Sequence, residues 1–165
     1  MTFNITQFFL SLNHHLLPLI LNKVEFNQKI LMFFSNYLVN RKTKYLWNNF
    51  SSPLCNIDIG VSQGLVLSPI LSALYLSLIS HIFEKYLKNL NIPISVLSFV
   101  DNGLFISQSK SLFISNANLF CSYNIILSLL TRFSLIMKHS KTEIFHFSGL
   151  HGAFNLSSIR SHISW

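Results

Sequence analysis

Residues 60–75 read GVSQGLVLSPILSALY, and this run decides the fold. Gly60 and Gly64 bracket Gln63 in a loop, Ser68-Pro69 follows, and apolar residues then recur. A serine hydroxyl accepts from the free N–H groups at a helix start, and proline suits the first helical position because its missing N–H would be unpaired there anyway. The sequence therefore predicts a loop feeding a helix that Ser68 caps and Pro69 opens. Ile70, Leu71, Leu74, Leu78, Ile82 and Phe83 share one face at helical spacing, and Pro93 bounds the element.

Working outward, 94–100 (ISVLSFV) and 104–107 (LFIS) read as strands joined at Asp101-Asn102-Gly103, with Asn-Gly supplying the positive φ of a tight turn. Residues 111–133 read as a second long helix and 143–147 as a last strand. Upstream, Phe3–Phe9 reads as a short strand, 12–37 as helical with Pro18 near a start or kink, 40–44 as a basic turn, and 54–61 as a strand ending at glycine. The order β-α-β-α-ββ-α-β predicts an α+β fold with helices on one side of a sheet.

The 165 residues are one domain's worth of chain, half hydrophobic and only 10% charged. Twelve Lys and Arg against five acids give a net charge of +7, which favours a polyanionic partner. Cys55 and Cys121 have no CxxC spacing, so neither a disulfide framework nor a zinc site is expected, and both read as small core hydrophobes. The seven histidines form no metal-ligand pattern, and His14 and His15 read as structural or exposed. The first residues lack the basic n-region of a signal peptide, so an intracellular location, nuclear or cytoplasmic, is expected. Stretches 59–83 and 111–131 are long enough to span a bilayer but carry Gly, Pro, Ser, Gln, Asn and His, which are costly in lipid. No membrane association is expected, and a small multi-pass membrane protein is the alternative; it would replace the strands at 94–107 and 143–147 with helices.

Four segments together resemble the palm of reverse transcriptases of non-LTR (LINE-like) retrotransposons, over about Phe3 to Phe147. Residues 60–75 are similar to the family's G-x-x-Q-G-x-x-L-S-P-x-L-x-x-x-Y block, which lines the pocket for nucleotide and template base. Residues 98–103 (SFVDNG) are similar to its [FY]-x-D-D hairpin, and 3–12 (FNITQFFLSL) to its F-D-I-x-x-x-F-x-S strand. Residues 133–143 are similar to its segment ending in K-T-E. The resemblance implies a palm-like antiparallel sheet with helices packed on one face, fingers and thumb largely missing, over residues 1–148, with 149–165 an irregular tail. It implies RNA-directed DNA polymerase chemistry with Mg²⁺ and an RNA or DNA template–primer as partner.

Residue by residue, the metal-ligand positions fall on Asn4, Asp101 and Asn102, where the family has aspartates. Nucleotide and template contacts fall on Phe9, Gln63, Gly64 and Lys141. Arg41, Lys42 and Lys44 are candidates for contacts to the nucleic-acid backbone. The departures matter, because phosphoryl transfer of this kind uses paired Mg²⁺ ions, and Mg²⁺ prefers anionic oxygen. With two aspartates replaced by amides, Asp101 alone would hold an incomplete metal site, so the sequence predicts a catalytically inactive domain. A basic nucleic-acid-binding remnant without catalysis is the first alternative, ahead of the membrane protein. If the first strand is aligned correctly, Asn4 must lie beside the Asp101-Asn102 turn.

Overall fold

The structure is a computed structural model and describes residues 1–23, 26–62, 64 and 66–147. In chain order its elements are β1 (Thr2–Asn4), α1 (Phe8–Ser11), α2 (Leu16–Lys23), α3 (Gln28–Leu38), β2 (Lys42–Thr43), β3 (Leu46–Trp47), β4 (Phe50–Ser51), β5 (Cys55–Asn56), α4 (Leu67–Asn89), β6 (Ile94–Phe99), β7 (Asn102–Ser107) and α5 (Leu112–Arg132), with a 3₁₀ turn at His139–Lys141. The architecture is α+β: β1, β7 and β6 form an antiparallel sheet in that order. The hairpin strands at 94–107 are formed, where a membrane-spanning alternative required helices, although α4 and α5 have the length and composition to cross a bilayer.

Alternation across the strands sorts the sheet into two faces. On one face Phe3, Gly103, Phe105 and Val96 meet Ile79 and Phe83 of α4 and Ile126 and Leu130 of α5. Phe105 is the hub, its ring centroid 4.9 Å from that of Phe3 and 5.2 Å from that of Phe83. On the other face of β1 and β7 stand Asn4 and Asn102, paired in register.

Several expectations are corrected. Asn102 and Gly103 lie within β7; the two-residue turn is Val100-Asp101, and Val100 takes the positive φ of 54°. A β-branched residue there is strained, at a cost of about 1–3 kcal/mol. Gly103 is needed for another reason: a Cβ at this position would lie 2.0 Å from the Phe3 ring, which lies across the backbone. Ser68 does not cap α4. The helix begins at Leu67, and the Ser68 hydroxyl donates instead to the Ser62 carbonyl at 2.6 Å, with Pro69 still inside the first turn. The buried stripe of α4 runs Leu71, Tyr75, Ile79, Phe83 and Leu87, rotated from the expected face, and Ile70 is exposed. Residues four apart lie on nearly the same side of a helix, so this stripe forms one line that packs against the core.

The helical reading of 12–37 resolves into α2 and α3, with Pro18 third in α2, where no intrahelical N–H is lost. Of the strand expected at 54–61, only Cys55–Asn56 pairs, with β2, plus a bridge from Ile59 to Asn13. The strand expected at 143–147 is absent. Residues 136–138 and Glu143 instead line the outer edge of β1: Ile5 bridges Met137 and Thr2 bridges Glu143. Thr6 N–H donates to the Ile136 carbonyl and Lys138 N–H to the Asn4 carbonyl, both at 2.7 Å. Cys55 and Cys121 are exposed rather than in the core.

Tyr75, fully buried on α4, ties that helix to the end of α5 by donating its hydroxyl to the Phe133 carbonyl at 2.7 Å. Burial pushes its pKa up to about 12, partly offset by a backbone hydrogen bond from Asn13.

Two outcomes are expected. Gly103→Ala should destabilise the fold by about 1–3 kcal/mol in urea titrations through overpacking, and combining it with Phe3→Leu should cost less than the sum of the single changes; strict additivity would show that the ring is not the obstacle. Because the folded Tyr75 holds its proton to higher pH than the unfolded tyrosine, its stabilisation is complete below pH about 10 and drains away between about 10 and 12. Tyr75→Phe should therefore flatten the alkaline fall in stability measured across that window.

Candidate functional site

The sheet's second face converges on a three-residue cluster. β1 is pinned from both sides: Ile5 N–H donates to the Asp101 carbonyl, and the Asn4 carbonyl accepts from Lys138 N–H. Held there, the buried Asn4 side chain faces the hairpin end. Its amide nitrogen donates to Asp101 Oδ2 at 2.9 Å and to Asn102 Oδ1 at 3.0 Å. Asn102 Nδ2 completes the triangle, donating to Asp101 Oδ1 at 3.2 Å. The fold thus brings Asn4 to two adjacent residues nearly a hundred positions away.

The donor set does not fit a divalent pair. A magnesium ion needs oxygen lone pairs, preferably anionic. Here the cluster carries one carboxylate, both of whose oxygens already accept amide hydrogens, and the nearest side-chain atom of Asn4 is a donor. Among the described residues no group of three His, Cys, Asp or Glu side chains could hold a metal ion. The polar triangle instead satisfies its own carboxylate: both Asp101 oxygens and Asn102 Oδ1 accept an amide N–H, and hydrogen bonds to a charged acceptor of this kind contribute about 1.5–3 kcal/mol each.

Between α4 and the hairpin lies a cavity of about 470 Å³, lined by Phe9, by Pro69, Ser72 and Leu76 of α4, and by Ser98 and Val100 of the hairpin. Phe9 is half-buried on α1 and therefore sits where the helix start and the hairpin meet. Sequence reasoning missed Ser72, Ser98 and Val100. Ser98 could have been found as the polar interruption on the inward side of an otherwise apolar strand.

The loop before α4 is strapped to the N-terminal segment. Gly60, at φ 85°, has the Leu10 carbonyl 2.7 Å from where a Cβ would stand; its N–H donates to the Leu12 carbonyl, and Val61 N–H to the Phe9 carbonyl. His14, buried, bonds the Gly60 carbonyl through Nε2 at 2.6 Å, while His15 is exposed. Gly64 is exposed at φ 86° with open space beside it. Gln63 and the tail 149–165 lie outside the described residues.

The basic residues divide. Arg41 reaches the loop, donating to the Ser62 hydroxyl at 3.3 Å and lying 5.0 Å over the Tyr37 ring, while its second guanidinium nitrogen is buried with no hydrogen-bond partner among the described residues. Lys42 and Lys44 are exposed. Lys141 is exposed in the 3₁₀ turn along the edge of β1 and makes no side-chain hydrogen bond to the Asn4 cluster among the described residues.

Residues 1–161 match the family model described as reverse transcriptase (RNA-dependent DNA polymerase). A search of curated proteins found no significant match to the chain.

Asn4→Asp tests the geometry directly. It removes two donors and sets a second carboxylate against Asp101, so the variant should lose roughly 1–3 kcal/mol of stability in chelator. Millimolar Mg²⁺ should restore part of that loss while leaving the unsubstituted chain's melting temperature unmoved. A Mg²⁺-dependent rise in the unsubstituted chain would contradict the donor-set argument.

Proposed function

The chain belongs to the reverse transcriptase (RNA-dependent DNA polymerase) family, and from that premise we propose that it is a palm-like domain of the non-LTR retrotransposon type that holds template–primer without extending it. Members of the family bind a nucleic-acid template–primer and use Mg²⁺. In this reading residues 1–148 form the palm-like unit, residues 149–165 are an appended tail, and the protein acts inside the cell, in nucleus or cytoplasm.

The observation that carries the proposal is the Asn4 amide donating to both Asp101 and Asn102. Nucleotide joining in the family proceeds through paired divalent ions held by carboxylates. An N–H group pointing at the remaining carboxylate opposes a cation there, and one negative charge is too little to gather two mutually repelling dications. The positions of Phe9, Ser72 and Ser98 around one cavity support its assignment as the nucleotide and template-base pocket; Gln63 and Gly64 are assigned to the same contacts by their place in the matching motif. The charge of +7, with Arg41, Lys42, Lys44 and Lys141 on the surface or at the loop, supports a polyanionic partner.

The test pairs two readouts on the purified chain. Template–primer binding should weaken steeply between 50 and 200 mM salt, as expected for phosphate neutralisation. Primer extension with Mg²⁺ or Mn²⁺ should stay at background. Robust incorporation of deoxynucleotides would overturn the inactive reading, and salt-independent or absent binding would overturn the partner.

A further inference from the structure

Between α3 and the loop before α4 the chain builds a small two-tier ribbon that the cluster and cavity do not use. β2 pairs with β5, and the hairpin β3–β4 extends beyond them, with Leu46 opposite Ser51 and Trp47 opposite Phe50. Tyr45 and Ser52 continue the ladder, the Tyr45 carbonyl accepting from Ser52 N–H at 2.9 Å and Tyr45 N–H donating to the Ser52 hydroxyl at 2.8 Å.

Directly opposite residues share a face, and so do residues two apart along a strand. Tyr45, Trp47 and Phe50 therefore stand on one face of the ribbon. They are 70%, 77% and 65% exposed, a concentration of bare aromatic surface that a folded chain leaves uncovered only at a cost.

We propose that this aromatic face is a stacking platform for the bases of single-stranded nucleic acid. Two residues along a strand are about 6.6–6.8 Å apart. That equals two base-stacking steps of about 3.4 Å, so one base fits between the rings of Tyr45 and Trp47. Charge lies close to the platform in sequence, with Lys44 alternating to the face opposite Tyr45: residues 26–57 hold Lys29, Arg41, Lys42 and Lys44 and no Asp or Glu. Aromatic rings interleaved with a basic strand are the components of sequence-tolerant single-strand binding. A lipid surface fits less well, because the hairpin tip is Asn48-Asn49, with the aromatics set back behind two amides. A membrane-dipping tip would lead with its apolar residues.

The proposal rests on the reading that the chain binds nucleic acid, and the experiment separates the two. In the full chain carrying Trp165→Phe, Trp47 is the sole tryptophan. Titration with a single-stranded oligothymidylate of about twelve nucleotides should quench its emission. Trp47→Ala should weaken single-strand affinity by about 5- to 150-fold, the loss typical of removing one base–aromatic stack. Trp47→Phe should retain most of the affinity, and binding to a blunt duplex should change little. Unmoved Trp47 emission with unchanged affinity in Trp47→Ala would overturn the platform while leaving duplex and template–primer binding intact. Loss of all nucleic-acid binding in the unsubstituted chain would overturn both readings. Quenching by anionic vesicles but not by oligothymidylate would also overturn the platform, in favour of a lipid surface, and so would Trp47-dependent dimerisation with no response to nucleic acid.

Discussion

The pairing of β1 on β7 is the constraint on which the rest depends. It fixes Asn4 opposite Asn102, sets Phe3 across Gly103, and orients every other side chain of the sheet by alternation. A slip of one residue would exchange the faces, burying Asn4 among Phe83 and Phe105 and turning Phe3 outward. Three features forbid it. Gly103 alone leaves room for the Phe3 ring; the Ile5 N–H is held by the Asp101 carbonyl; and residues 136–138 clasp the outer edge of β1. Hydrophobic packing on one face and a polar triangle on the other thus specify the same register.

That register gives the polar triangle its chemical character. In a family whose reaction requires carboxylates around paired ions, an amide at position 4 reverses the local demand. Where a carboxylate would repel Asp101 and call for a cation, the amide neutralises the need by donation. The cluster has become a structural fastening between the first strand and the hairpin tip. Val100, strained at positive φ, is tolerated at that tip because the paired strands and the Asn4 contacts over-determine its position.

The cavity and the exposed aromatic ribbon are built from residues outside the Asn4 cluster. The cavity between α1, α4 and the hairpin persists because the first half of α4 is anchored twice, by Ser68 on the Ser62 carbonyl and by Tyr75 on the Phe133 carbonyl. The ribbon at 42–56 lies on a separate part of the chain, basic and aromatic, and is joined to the loop before α4 through Arg41 and Ser62. In the proposed reading binding and catalysis therefore fall on different residues, so that loss of one leaves the other physically possible.

The α+β class, both long helices and the hairpin strands were legible in the sequence because they rest on short-range periodicity and on the stop at Pro93. The cluster of Asn4, Asp101 and Asn102 was legible only through its family resemblance, since no local rule joins residues nearly a hundred positions apart. What tertiary structure decided are the choices in which packing outweighs local preference. The turn moved onto Val100-Asp101 because Gly103 was needed under Phe3. Ser68 gave up its cap for the Ser62 carbonyl once the loop folded back. The edge of β1 was shared between residues 136–138 and Glu143 rather than taken by a strand over 143–147, because the segment leaving α5 already lies alongside the strand. In each case the sequence offered two sites for one role, and the choice fell to contacts made by distant parts of the chain.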